Sequence, residues 1–141
     1  MHFLRYTIPA LFVACLTTPA FAAETIKVTE SGEGGGPMTL TLDKSSVAAG
    51  DTKFLVHNDA MSAEHEMVLV KLKSADEKIE VDTAIGRVDE DKLDSLGEVA
   101  DLKPGAVGEL SAKLTPGSYV LLCNIKGHFQ AGMHAMLNVT K

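Results

Sequence analysis

The chain has 141 residues, 45% of them hydrophobic, with 13 basic and 19 acidic side chains and a formal net charge of −6. That length and apolar share suffice for one domain around one core. The acidic balance excludes nucleic acid as a partner, since such binders present a basic face.

Residues 1–22 read as a secretory leader. Arg5 supplies the positive region, Ile8–Leu16 the apolar region, and Ala20-Phe21-Ala22 the small-x-small site, with cleavage expected before Ala23. The apolar run is shorter than the ~20 residues a bilayer span needs, so no transmembrane anchor is expected. Lipid attachment at Cys15 fits poorly because of Phe12 and the short apolar region. The expected mature protein is therefore a periplasmic, monomeric single domain over residues 23–141. Loss of Arg5 takes its net charge to −7, and loss of Cys15 leaves Cys123 alone. An unpaired thiol in an oxidising compartment is a liability that metal ligation removes. The plain alternative is an inert buried cysteine.

Thr25–Thr29 alternates apolar and polar residues, which predicts an edge strand. Ser31–Pro37, with four glycines, is a connection, and Met38–Leu42 alternates again. A turn is expected over Val47–Asp51, then a strand over Thr52–Asn58. His65–Leu72 is a strongly apolar strand with His65 at its entrance. Val107–Leu114, Tyr119–Cys123 and Met133–Val139 complete the series, with Pro104-Gly105 and Pro116-Gly117 as turns. Short strands separated by turn signals predict an all-β, Greek-key β-sandwich. Ser74–Leu102 breaks this rhythm: Leu93, Leu96 and Val99 at spacings of three predict a short helical excursion. Its Ser74–Asp101 part holds ten acidic and three basic residues, the whole of the mature net charge.

The chemistry is concentrated in Cys123-Asn-Ile-Lys-Gly-His-Phe-Gln-Ala-Gly-Met133. It places a thiol, an imidazole and a thioether at intervals of five, with Gly127 and Gly132 free to reverse the backbone. A thiolate and an imidazole with a weak thioether match a type 1 copper centre, which also takes a second imidazole. His65 is the obvious donor. The ligand set is then His65, Cys123, His128 and Met133, with one mononuclear copper ion as cofactor. Cys123 is the thiolate, the histidines are equatorial and Met133 is axial. Zinc could use the first three, yet it favours a fourth strong ligand over a thioether.

At these residues the chain resembles the cupredoxins, the small blue-copper proteins, and its Cys-x4-His-x4-Met loop is similar to the rusticyanin type. The resemblance implies that the excursion lies outside the sandwich. It also implies that His128 is the electron exit, ringed by Phe129, Gln130 and Ala131. Two residues depart from the usual pattern: Glu66 follows His65 where Asn or Ser is common, and Lys126 precedes Gly127 where proline is common. Asn58 and Asn124 are candidates for supporting hydrogen bonds.

The function expected is a one-electron carrier between redox proteins such as a cytochrome and an oxidase. The alternative is a copper-binding protein for copper tolerance or delivery. An enzyme is not expected, since four ligands leave no position for substrate and 119 residues hold no second copper centre. His57, Met61, Glu64, Glu66, Met67 and His134 raise an additional, weaker copper surface as a minor reading. Singly they read as core or solvated positions.

Overall fold

A computed structural model of the chain describes residues 23–141; the expected leader lies outside them. The alternating segments become eleven strands: β1 (Glu24–Ser31), β2 (Thr39–Leu42), β3 (Ser46–Ala48), β4 (Gly50–Asn58), β5 (His65–Lys71), β6 (Val81–Asp82), β7 (Arg87–Val88), β8 (Asp94–Leu102), β9 (Val107–Leu114), β10 (Gly117–Leu122) and β11 (His134–Thr140). They form a four-stranded sheet, β2-β1-β4-β9, facing a five-stranded sheet, β3-β11-β10-β5-β8. The two-stranded β6–β7 hairpin joins neither. The expected all-β sandwich is the observed one.

Inward residues of both sheets make the core. Ile26, Val28, Phe54 and Val56 of one sheet meet Met67, Leu69, Leu121 and Leu137 of the other. Each fully buried apolar side chain of this size contributes roughly 1.5–3 kcal/mol. β5 is apolar on both faces because its outer side is covered as well. Val68, Val70 and Leu72 pack with Val120 and Leu122 beneath Ile79, Leu93 and Phe129. Buried at its centre on both faces, this strand gives the site a rigid floor.

Three expectations are corrected. β1 is not an edge strand: it lies between β2 and a parallel β4, pairing Ile26 with Phe54 and Val28 with Val56. Alternation reports which face is wet, not whether a neighbour sits alongside. The expected turn at Val47–Asp51 contains most of β3, which pairs in parallel with β11 before the chain crosses to β4 at Gly50. Three residues with one buried side chain, Val47, are too few to show a period.

The third correction concerns the helices expected within Ser74–Leu102. Among the described residues there is one turn of 3₁₀ helix, Glu90–Lys92, and Leu96 and Val99 lie on β8. The spacing of three comes from two irregularities against β5. Between His65 and Met67 the partner advances from Leu102 to Val99, and between Leu69 and Val70 it advances from Gly97 to Ser95. Each puts one extra residue on β8, as a β-bulge does, and breaks the period of two. Asp101 (φ 52°) and Gly97 (φ 130°) take the positive dihedrals at these points.

Candidate metal centre

The ligand loop is closed at its base by the Cys123 N–H, which donates to the Met133 carbonyl at 3.0 Å. Inside it, short-range bonds run from His128 N–H to the Ile125 carbonyl (2.9 Å), from Ala131 N–H to the Gly127 carbonyl (3.0 Å) and from Met133 N–H to the His128 carbonyl (3.1 Å). Gly127 and Gly132 have φ of +83° and +101°, the region that favours glycine. These bonds wind an eleven-residue loop into consecutive turns and aim His128 back at Cys123.

The outcome is a convergence of three donors. The Cys123 sulfur lies 3.4 Å from His128 Nδ1, which lies 3.2 Å from His65 Nδ1. One ligand atom from each residue falls within 4.8 Å of the others. Cys123 and His65 are fully buried, while His128 keeps part of its ring at the surface. Met133 is fully buried at the end of the loop. Among the described residues no other trio of His, Cys, Asp or Glu converges this way.

The neighbours prepare the donors. His65 Nε2 faces the Gly32 carbonyl at 3.2 Å. A carbonyl only accepts, so Nε2 carries the proton and Nδ1 presents its lone pair to the centre. The backbone N–H groups of Ile125 and Glu66 donate to the Cys123 sulfur. The departure at Glu66 therefore leaves this hydrogen bond intact, because the donor is main chain and not side chain. Gly32 and these two amides carry no signal in the sequence as supporting groups.

Burial dominates the electrostatics. It pushes the Cys123 thiol up to about 12, helped by the charges of Glu30 and Glu66 and opposed by the two backbone bonds. Burial lowers His65 below its ordinary range, against the Gly32 carbonyl and Glu33, which raise it. Burial lowers His128 too, and His65 and Arg87 add to the effect. At neutral pH the site offers two neutral imidazoles and a protonated thiol. Two borderline nitrogens, a sulfur and a buried thioether at the loop's end suit a soft, redox-active cation better than a hard one.

The two asparagines do different work. Asn58 donates to the carbonyls of Ala63 (2.9 Å) and Leu102 (2.8 Å) and accepts from the Ala60 N–H (2.9 Å), shaping the loop that delivers His65. The Glu33 carboxylate accepts from the N–H groups of Met61, Ser62 and Ala63 in the same loop. Asn124 reaches away from the centre to Val88 and Glu90.

The minor copper surface gathers no support. Met67 is in the core, Met61 is 88% exposed, and His57 lies half-buried on β4. His134 is exposed and stacks on Phe129 at 4.9 Å. A cleft of ≈ 470 Å³ beside His128 is lined by Glu64, Glu66, Arg87 and Asp101 among others, so the ring edge opens onto mixed charge.

No protein-family model matches the chain, and no curated protein matches it. Solved structures do. Reduced auracyanin from Roseiflexus castenholzii is 20% identical, with 85% of this chain and 100% of that one covered at a TM-score of 0.59. Auracyanin B is 22% identical over 88% and 94%, with a TM-score of 0.58. Rusticyanin from Thiobacillus ferrooxidans is 16% identical over 85% and 80%, again at 0.58. At these identities the likeness establishes the fold, which is that of the cupredoxins.

Proposed function

We propose that the protein is an exported one-electron carrier built on one mononuclear type 1 copper ion. His65 and His128 would hold the metal through Nδ1, Cys123 through its thiolate and Met133 through its thioether. The observation that carries this reading is the convergence of the Cys123 sulfur with two Nδ1 atoms at a partly exposed histidine. The fold shared with the auracyanins and rusticyanin supports it; auracyanin A is described as a "blue" copper protein.

When bound, copper would provide the one-electron couple between its +1 and +2 states, taking an electron from a donor and giving it to an acceptor. The chain's part is to hold the donors so that little moves when the charge changes. Buried Cys123 and His65 exclude water, and the Gly32 carbonyl fixes the His65 tautomer. The Ile125 and Glu66 N–H groups stabilise negative charge on the sulfur. His128, partly at the surface, would be the route from the centre to a docked redox partner. No described helix is long and apolar enough to cross a membrane. The leader over residues 1–22 and the periplasmic location belong to the same proposal.

A visible absorption titration of residues 23–141 with Cu(II), beside Cys123→Ser, tests it. An intense thiolate-to-copper band saturating at one equivalent and absent from the variant is expected. Absence of that band in the unsubstituted protein sinks the reading. Copper that binds with the band but passes readily to a chelator, without reversible electron exchange, would favour the copper-handling alternative.

A further inference from the structure

Asn124 stands between Cys123 and Ile125, the residue whose N–H reaches the sulfur. Its side chain is 2% exposed and spends its polar atoms outside the loop. The Val88 N–H donates to its Oδ1 at 2.6 Å, and its Nδ2 donates to the Val88 carbonyl (3.0 Å) and to Glu90 Oε1 (2.7 Å). The amide thus pairs with the Val88 backbone much as a neighbouring strand would. A second fastening lies nearby: the Gly127 N–H donates to the Gly86 carbonyl at 2.8 Å. The backbones approach so closely there that a Cβ on Gly86 would sit 3.2 Å from Lys126 Cγ and 3.5 Å from the Gly127 nitrogen.

The β6–β7 hairpin belongs to neither large sheet; three of these bonds tie it to the ligand loop, and the fourth ties in Glu90 just beyond it. The loop's own turns are held only by main-chain hydrogen bonds such as those from the His128 N–H to the Ile125 carbonyl and from the Ala131 N–H to the Gly127 carbonyl. Position 126 is lysine, so no pyrrolidine ring limits the backbone before Gly127. Bonds from outside the loop add to that restraint. Leaving the buried Val88 and Asn124 groups unpaired is unfavourable, so each holds the other in register.

We propose that the excursion over residues 81–92 is a clamp on the ligand loop, with Asn124 as its positioning residue. The clamp fixes the Asn124–Ile125 peptide and, through it, the hydrogen bond from the Ile125 N–H to the Cys123 sulfur. Hydrogen bonds to the thiolate withdraw electron density from the metal and favour its reduced state, so loosening the clamp lowers the potential. For its effect on the metal this role rests on the copper reading above; for its effect on the loop it does not.

Amide hydrogen exchange on the copper-free protein tests the loop directly. Asn124→Ala is expected to speed exchange at Val88, Ile125 and Gly127 together, by tenfold or more. Glu90→Ala, at an exposed position and safer for folding, removes one bond and gives a smaller rise at the same amides. Asn124→Asp keeps an acceptor for the Val88 N–H but loses the donations to the Val88 carbonyl and to Glu90, so exchange at Ile125 is expected to rise nearly as far as in Asn124→Ala. Val47→Ala, on distant β3, lowers global stability without singling out these amides. In the copper-loaded protein, Asn124→Ala shifts the thiolate band and lowers the potential, while Val47→Ala leaves both in place. Unchanged exchange at Ile125 and Gly127 in both Asn124→Ala and Glu90→Ala overturns the clamp, and so does the same pattern in Val47→Ala. A missing copper band in the unsubstituted protein defeats the copper reading alone, and the exchange data still decide the clamp.

Discussion

Glu30 offers a quantitative test of the sandwich interior. It follows Ile26 and Val28 on the inward face of β1, is 0% exposed, and neither carboxylate oxygen has a hydrogen-bond partner. Burial, with the Glu66 charge adding to it, raises its pKa from 4.5 to about 8. The folded state therefore holds this proton more tightly than the unfolded state does. Its contribution to stability is complete below pH 4.5 and is lost as pH rises through about 8. At 1.36 kcal/mol per unit of pKa, the loss across that window is on the order of 5 kcal/mol. Glu30→Gln keeps a neutral group there at every pH. Denaturant unfolding of both copper-free proteins from pH 5 to 9 measures the difference. The variant should match the parent near pH 5 and exceed it by roughly 4–5 kcal/mol near pH 9. The lowered pKa values of His65 and His128 act in the opposite direction, with stability lost as pH falls, and cancel in the comparison. Parallel pH curves for the two proteins would show that Glu30 does not hold its proton in the folded state.

Three further outcomes follow from the same geometry. Copper binding at neutral pH displaces the Cys123 proton, because the buried thiol stays protonated to about pH 12 and both imidazoles are already neutral; calorimetry in buffers of different ionisation enthalpy should count close to one proton released. Asn58→Ala strands the carbonyls of Ala63 and Leu102 and the Ala60 N–H, and should cost about 2–4 kcal/mol in denaturant unfolding while leaving the sheets intact by circular dichroism. Association with a basic redox partner such as a cytochrome should slow as salt rises, since Ser74–Asp101 carries the excess of negative charge of residues 23–141; a stopped-flow rate independent of salt removes steering by that segment.

Cys123 and His128 were legible as a pair because they lie five residues apart, where spacing alone limits geometry, and the fold brings them to 3.4 Å; Met133 as a ligand belongs to the proposal. His65 was legible through the strand that follows it, whose apolar residues place its first position at a sheet end. β8 was not, because two bulges convert a period of two into a spacing of three that imitates a helix. β3 was too short to carry any pattern. The supporting groups of the site are mostly main chain: the Gly32 carbonyl and the Ile125 and Glu66 amides act whatever side chain they bear. Residue types cannot announce them. Glu30 had a signal that was available, since Ile26, Val28 and Glu30 share one parity on β1 and two of the three are plainly core. Asn124 was visible as a polar residue beside the thiol, but its partners lie 34 and 36 positions away, on an excursion whose path only the fold reveals.

X-ray absorption at the copper edge, recorded on the oxidised and the reduced protein, decides whether His65, Cys123 and His128 form an electron-transfer centre. A carrier built on this site should show one short copper–sulfur and two copper–nitrogen distances in both states, nearly unchanged between them. Loss of a nitrogen ligand on reduction, or a first shell without sulfur, would contradict an electron carrier at His65, Cys123 and His128.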